Sequence, residues 1–218
     1  MTSLIANNLE IKIINLPHRQ DRKLECESEI SRLELPQEIF SFFSATYDQN
    51  LPPRGCAISH ALAVSEFIIQ SEKNFLLVLE DDFEILSTEG FVFALTNLLK
   101  LNHSWDVAMF SHNQAIPIDG SRVQGFQRVV NSQTSSSYLL KRHFSPTLLK
   151  SFFQSINGLS ASQKLPARNA RATRHIYALD ILWKSLQSEF VFIAAFPALI
   201  KQRASFSDVV KGHRDYGV

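Results

Sequence analysis

Three adjacent carboxylates, Glu80, Asp81 and Asp82, follow directly on the apolar run FLLVL at 75–79. Like charges at this spacing repel, and a chain gains little by massing them at the end of a buried strand. A divalent cation removes the conflict: hard oxygen donors suit Mg²⁺ or Mn²⁺, ions that also bridge diphosphates. A solvated acidic turn is the alternative. A metal held by few protein groups keeps positions for phosphate oxygens and can stabilise a departing diphosphate. That chemistry serves transfer from a nucleoside diphosphate sugar and phosphodiester cleavage equally.

Other residues could complete such a site. Asn15, Arg19 and Arg22 lie just after an apolar run, and Arg presents a planar fork suited to phosphate. Pairing with Glu25 or Glu29 at helical spacing is the competing reading. Ser59 and His60 fall in GCAISH at 55–60, where a helix opens; a single histidine there is more often structural, and nothing local marks Cys56 as a thiolate. Asp180, one turn before Trp183, is one of only five acids in residues 111–218 and a candidate general base. A salt bridge to a neighbouring Arg would also explain it. His213 could add a nitrogen ligand to a metal, or simply be solvated. Lys164, Arg168, Arg171 and Arg174 form a basic stretch with no acid from 161 to 179. It could close on a diphosphate, touch an anionic membrane surface or lipid-linked acceptor, or be solvated.

The elements that must position these groups alternate. IKIINL at 11–16 and FLLVL at 75–79 read as buried strands. Residues 40–45, 106–111, 126–130, 136–140 and 191–194 read as further strands. Helices are expected from near Asp21 for about a dozen residues, and over 57–71, 91–101, 146–156 and 176–186. LPPRG at 51–55 reads as a turn and 163–174 as a loop. This order predicts an α/β layer with a mixed, largely parallel sheet, which binds ligands beyond the carboxyl ends of its strands. The first loop and the acidic triplet meet there.

The 218 residues suit a single domain. Residues 1–110 hold 8 Lys and Arg against 16 Asp and Glu, and residues 111–218 hold 14 against 5, so a net charge of +1 conceals an acidic and a basic half. That asymmetry suits a cleft where a cation and an anionic ligand meet. The 17 Phe sit mostly in apolar runs and read as core rather than base-stacking platforms, and no nucleic-acid partner is expected. Two cysteines are too few for a disulfide framework, which favours a reducing compartment. No charged region followed by a long apolar stretch opens the chain, and the longest apolar runs fall well short of a membrane span. A cytoplasmic protein is expected, with room for peripheral contact on the inner face of a membrane.

Six segments together resemble glycosyltransferase family 25, the group of bacterial lipopolysaccharide and lipooligosaccharide galactosyltransferases and animal collagen galactosyltransferases. They are IINLPHRQDRK (13–23), RGCAISHALAV (54–64), FLLVLEDDFEI (75–85), SSSYLLKRHFSPTLL (135–149), DILWKSL (180–186) and FPALIKQRASFSDV (196–209), in the family's order. The resemblance implies a GT-A-type fold, with 1–112 as nucleotide-binding half and 113–218 as acceptor-binding half. It also implies a UDP-sugar donor, Mn²⁺ (or Mg²⁺) and inversion at the anomeric carbon. By position, Glu80, Asp81 and Asp82 match the metal and ribose carboxylates, with Asp82 first choice for the metal and Glu80 and His213 as further ligands. Asn15, Leu16 and Arg19 fall where the nucleotide is expected, and Arg22, Ser59 and His60 are candidate cofactor contacts beside them. Asp180 matches the acid of the late helix; Gln202, Ser207 and Asp208 match the polar end of the final motif. Val64 stands where an aromatic is usual, and 113–125 is shorter than in the family. The activity implied is transfer of galactose or glucose to a lipid-linked saccharide in surface-glycan biosynthesis, such as lipopolysaccharide, with Asp180 deprotonating the acceptor. A metal-dependent phosphodiesterase or nuclease and a non-catalytic glycan-binding relative are the rival readings.

Overall fold

Strand β1 (Leu9–Asn15) is buried along almost its whole length, as its near-continuous apolar sequence requires of a strand covered on both faces. In the computed structural model, which describes residues 2–101, 104–118, 120–207 and 212–214, a short helix α1 (Thr2–Asn8) precedes it. Helix α2 (Gln20–Ser31) follows, and then β2 (Phe40–Ser44). Helix α3 (Pro52–Gln70) begins inside the expected turn, because proline in a first turn has no N–H to lose and a φ already set for helix. Asp48 organises that entry: its Oδ1 accepts from the Leu51 N–H at 2.9 Å and its Oδ2 from Arg54 Nε at 2.6 Å.

Strand β3 (Phe75–Glu80) leads through the carboxylates into β4 (Phe83–Ile85), which the sequence did not announce. Helix α4 (Thr88–Lys100) starts a turn earlier than its apolar pattern, capped by Ser87, whose Oγ accepts from the Gly90 N–H at 3.1 Å. Then come β5 (Val107–Met109), β6 (Ile116–Ile118), β7 (Phe126–Val130) and β8 (Ser137–Lys141). Helix α5 (Ser145–Ser162) outruns its expected end at 156. The expected loop at 163–174 is mostly helix α6 (Ala167–Ile176): Ala and Arg are strong helix formers, and buried Ala170 seats the helix without an apolar stripe. The expected helix at 176–186 is split. Residues 177 and 178 break it, α7 (Leu179–Leu182) is a single turn, and a 3₁₀ segment (Trp183–Ser188) continues from there. Strands β9 (Phe192–Ala195), β10 (Ile200–Gln202), β11 (Ser205–Ser207) and β12 (Gly212–Arg214) follow.

Eight strands form one mixed sheet in the order β2–β1–β3–β8–β5–β9–β7–β6. Six run the same way, and only β8 and β7 oppose them. Strand β8, from the basic half, lies between β3 and β5 of the acidic half, so the two halves share one sheet. Alternation along the strands builds a core on each face. Leu77, Leu79 and Leu139 point toward α2 and α4, while Leu76, Val78, Tyr138 and Leu140 point toward α3 and α5. Strands β10 and β4 pair separately, with Gln202 opposite Phe83, which carries residue 202 back to the acidic triplet.

Among the described residues no helix is long and apolar enough to cross a membrane. The seating of α5 depends on a missing side chain: a Cβ at Gly158 would meet the Tyr177 ring at 2.1 Å. Gly158→Ala should therefore destabilise the fold by about 1–3 kcal/mol, the usual cost of overpacking. Urea unfolding would show it as a lower midpoint with unchanged slope. A midpoint at or above that of the parent would contradict this packing.

Candidate functional site

Strands β1 and β3 are parallel neighbours, with Ile14 in register with Glu80, so their carboxyl ends release Asn15 and the acidic triplet side by side. Antiparallel β8 begins at the same end, with Ser137 opposite Leu79. The three carboxylates are held differently. Asp81 is buried and accepts from Asn15 Nδ2 at 2.8 Å and from the Arg22 guanidinium at 2.5 Å. Burial pushes its carboxyl up, against the pull of Arg22. Glu80 Oε1 accepts from Ser135 Oγ at 3.2 Å and faces His60 Nε2 at 3.2 Å. Burial alone would raise Glu80, but its hydrogen bonds from His60 and Ser135 hold it below its ordinary value. Among the described residues, the buried carboxylate of Asp82 meets only the Gln202 amide, at 3.3 and 3.4 Å, and a longer 3.7 Å approach from Arg22. Burial, then the neighbouring Glu80 charge, pushes it up to about 7.

His60 is fully buried, stacked on Tyr138 and edge-on to Phe152, with Nδ1 3.1 Å from the Tyr138 hydroxyl. An imidazole protonated at Nε2 satisfies both contacts, donating to Glu80 and accepting from Tyr138. Ser59 Oγ donates to Gly55 O at 2.8 Å and accepts from the Thr46 N–H at 2.8 Å, pinning the loop after β2 to α3. Two clefts meet over these residues. The smaller, about 110 Å³, is lined by Leu16, Arg22, Tyr47, Ser59, His60 and Asp81 among others. The larger, about 380 Å³, includes Asn113, Gln133, Thr134, Ser135, Asp180 and Gln202. Cys56 and Glu80 border both.

Asp180 thus stands across the larger cleft from the triplet. Its Oδ2 accepts from the Thr134 N–H at 3.3 Å, and burial, opposed by that bond and reinforced by the Glu80 charge, raises its carboxyl. Thr134 has φ +80°, unusual for a β-branched residue. Its loop is held by distant groups: buried Gln187 bonds both the N–H and the C=O of Ser132 at 2.8 Å, and Trp183 Nε1 donates to the same carbonyl at 3.1 Å.

Asn15, Leu16, Arg22, Ser59, His60, Glu80, Asp81, Asp82, Asp180 and Gln202 therefore converge. Arg22 and Asn15 engage Asp81, because a buried carboxylate demands a counter-ion before any ligand arrives. Arg19 pairs with Asp21, its Nε at 3.0 Å from Oδ1 and its NH2 at 2.8 Å from Oδ2. Ser207 and His213 lie on β11 and β12, where Ser207 pairs with Gly212 and His213 with Phe206; their side chains and Asp208 are outside the described residues. The sequence reading passed over Cys56, whose thiol is pushed well above its ordinary value by burial. Its spacing of four from His60 on α3 was the available signal: Cys56, His60 and Glu80 bring three ligand atoms within 4.8 Å of one another. Thr134, Gln187 and the serines of 135–137 were also missed.

The donor set fits a divalent cation. Glu80 borders both clefts, Asp82 follows two residues on with no ion-pair partner closer than 3.7 Å among the described residues, and Arg22 is already committed to Asp81. A hard cation would supply the missing charge.

No family model matches the sequence, and no curated protein matches it. Solved structures match the fold. A mannose-1-phosphate geranyltransferase from Thermus thermophilus aligns over 87% of this chain and 73% of its own, at 11% identity and a TM-score of 0.51. A glycosyltransferase involved in the glycosylation of the major capsid of PBCV-1 aligns over 94% and 96%, at 9% identity and a TM-score of 0.51. At these identities the likeness is one of architecture: the chain is an α/β protein with the sheet of the GT-A and nucleotidyltransferase folds.

Proposed function

We propose that the protein is an inverting glycosyltransferase that moves a hexose, galactose or glucose, from a UDP-sugar to a saccharide acceptor in surface-glycan assembly. The observation that carries this reading is the pair of clefts joined at Glu80, with Asp81 and Arg22 lining the one and Asp180 the other. The architecture shared with a viral glycosyltransferase, and the six motif segments in family order, support it. Asp82 and Glu80 would hold Mn²⁺ or Mg²⁺. Bound there, the cation would supply charge neutralisation for the departing diphosphate.

The chain's own groups have distinct tasks. Leu16, Tyr47 and the loop after β2 offer the nucleoside a wall in the smaller cleft. Arg22 and Asn15 hold Asp81 and fix the loop that carries Asp82. His60, braced by Tyr138, orients Glu80. In the larger cleft Asp180 takes the proton of the acceptor hydroxyl as its oxygen bonds the anomeric carbon. The bond from that carbon to the UDP oxygen breaks in the same displacement, inverting the centre.

Calorimetric titration of UDP with and without Mn²⁺ tests the donor half directly. Binding that appears only with the metal is expected. Folded protein that binds no UDP in either condition would overturn the reading.

A further inference from the structure

The transfer reading leaves a cationic surface in the second half unused. Helix α6 packs on α5 through buried Ala170 and leads by way of Tyr177 into Ala178 and Asp180 at the larger cleft. With about 3.6 residues per turn, Arg168, Arg171 and His175 point away from Ala170. All three are exposed, as is Lys164 just before the helix. Leu165, 40% exposed, and Ile176, 56% exposed, flank them. Residues 161–179 contain no Asp or Glu. Among the described residues, no carboxylate pairs with Lys164, Arg168 or Arg171. Arg174 turns back, its Nε 3.3 Å from Ser162 Oγ.

We propose that this face docks the protein onto an anionic lipid surface, so that the larger cleft opens beside acceptors carried in that membrane. The docking stands on the surface alone; only the membrane-borne acceptor rests on the transfer reading. Cationic side chains flanked by exposed aliphatics match the charged plane and the apolar layer beneath it. A nucleic acid fits less well. Residues 161–176 contain no Phe, Tyr or Trp on which bases could stack. The 16 acids of residues 1–110 would repel a polyanion that wraps the protein, whereas a plane touches one side only.

Each basic residue at a membrane surface strengthens binding about fivefold, so three together give roughly a hundredfold. Co-sedimentation with vesicles of phosphatidylcholine alone, or of phosphatidylcholine mixed with phosphatidylglycerol, reads this out. The full chain should sediment with the anionic vesicles only, and less at high salt. Lys164→Gln/Arg168→Gln/Arg171→Gln should lose about a hundredfold in affinity, while its circular dichroism and metal-dependent UDP binding match the parent. No sedimentation of the parent, equal binding by the triple variant, or comparable parent affinity for duplex DNA would each overturn the docking. If the triple variant instead lost UDP binding, the basic face would be a phosphate site, and the docking would fall. Parent protein that binds vesicles but not UDP would keep the docking and remove the transfer reading.

Discussion

Asp82→Asn should abolish metal-dependent UDP binding and lower turnover by at least about a thousandfold, as expected for losing several kcal/mol of metal-derived stabilisation, yet leave the metal-free protein more stable. The two effects share one cause. Asp82 is buried beside Glu80 with, among the described residues, a single amide for a side-chain hydrogen-bond partner, so its carboxyl rises from 3.8 to about 7. The folded chain thus holds the proton more tightly than the unfolded chain does. Stability accordingly falls as pH rises from about 4 to about 7, and stays reduced above that. At about 1.4 kcal/mol per pKa unit, the burden above neutrality is on the order of 4 kcal/mol. Asparagine removes the charge, can still accept from Gln202, and should flatten that pH dependence. Denaturant unfolding at pH 5 and pH 8 measures the stability, and calorimetry with Mn²⁺ measures the site. A variant that binds UDP with the parent's metal dependence, or is no more stable than the parent at pH 8, would show that Asp82 is not the strained ligand described.

The sequence made this corner of the molecule legible because its signals are local. The runs at 11–16 and 75–79 are too uniformly apolar for anything but covered strands, and the triplet follows one of them without a break. The carboxyl-end rule for α/β sheets then sufficed to bring Asn15 and Asp81 together, and they lie in hydrogen-bond contact. The partner of Arg22 could not be read, because it sits 59 positions away and the competing acids on α2 are nearer in sequence. The loop that carries Thr134 was opaque for the same reason. Its conformation is set by Gln187 and Trp183, more than fifty residues later, and no turn motif within it announces a positive φ. Helix α6 escaped a search for apolar periodicity because it has almost no apolar face; propensity and one buried alanine suffice. The cysteine was discounted for lack of a local activator, and its neighbours His60 and Glu80 converge only once α3 packs on the sheet.

Asp180→Asn should act on the opposite side of the reaction, lowering kcat by about 10²–10⁴, the usual worth of a general base, with UDP affinity unchanged. The residue sits on the single turn of α7, whose following 3₁₀ segment is fixed by Trp183 and Gln187 against the loop at Ser132. Its one described hydrogen bond, from the Thr134 N–H at 3.3 Å, can be kept by the amide oxygen of asparagine, so the fold should survive. What asparagine cannot do is accept a proton. Burial, with help from the Glu80 charge, raises the Asp180 carboxyl above its ordinary value, which makes it a better proton acceptor near neutral pH. Turnover by the parent should therefore fall as pH drops through that raised value, and the variant should lose this acid limb. A merely structural carboxylate would leave the limb in place and move stability instead. Near-parental kcat in Asp180→Asn, or an unchanged pH profile, would assign the proton to another group. Because Asp82 is assigned to the metal and Asp180 lines the larger cleft, the pair separates the two halves of the mechanism. Loss of donor binding belongs to the first variant, and loss of the chemical step with donor still bound belongs to the second.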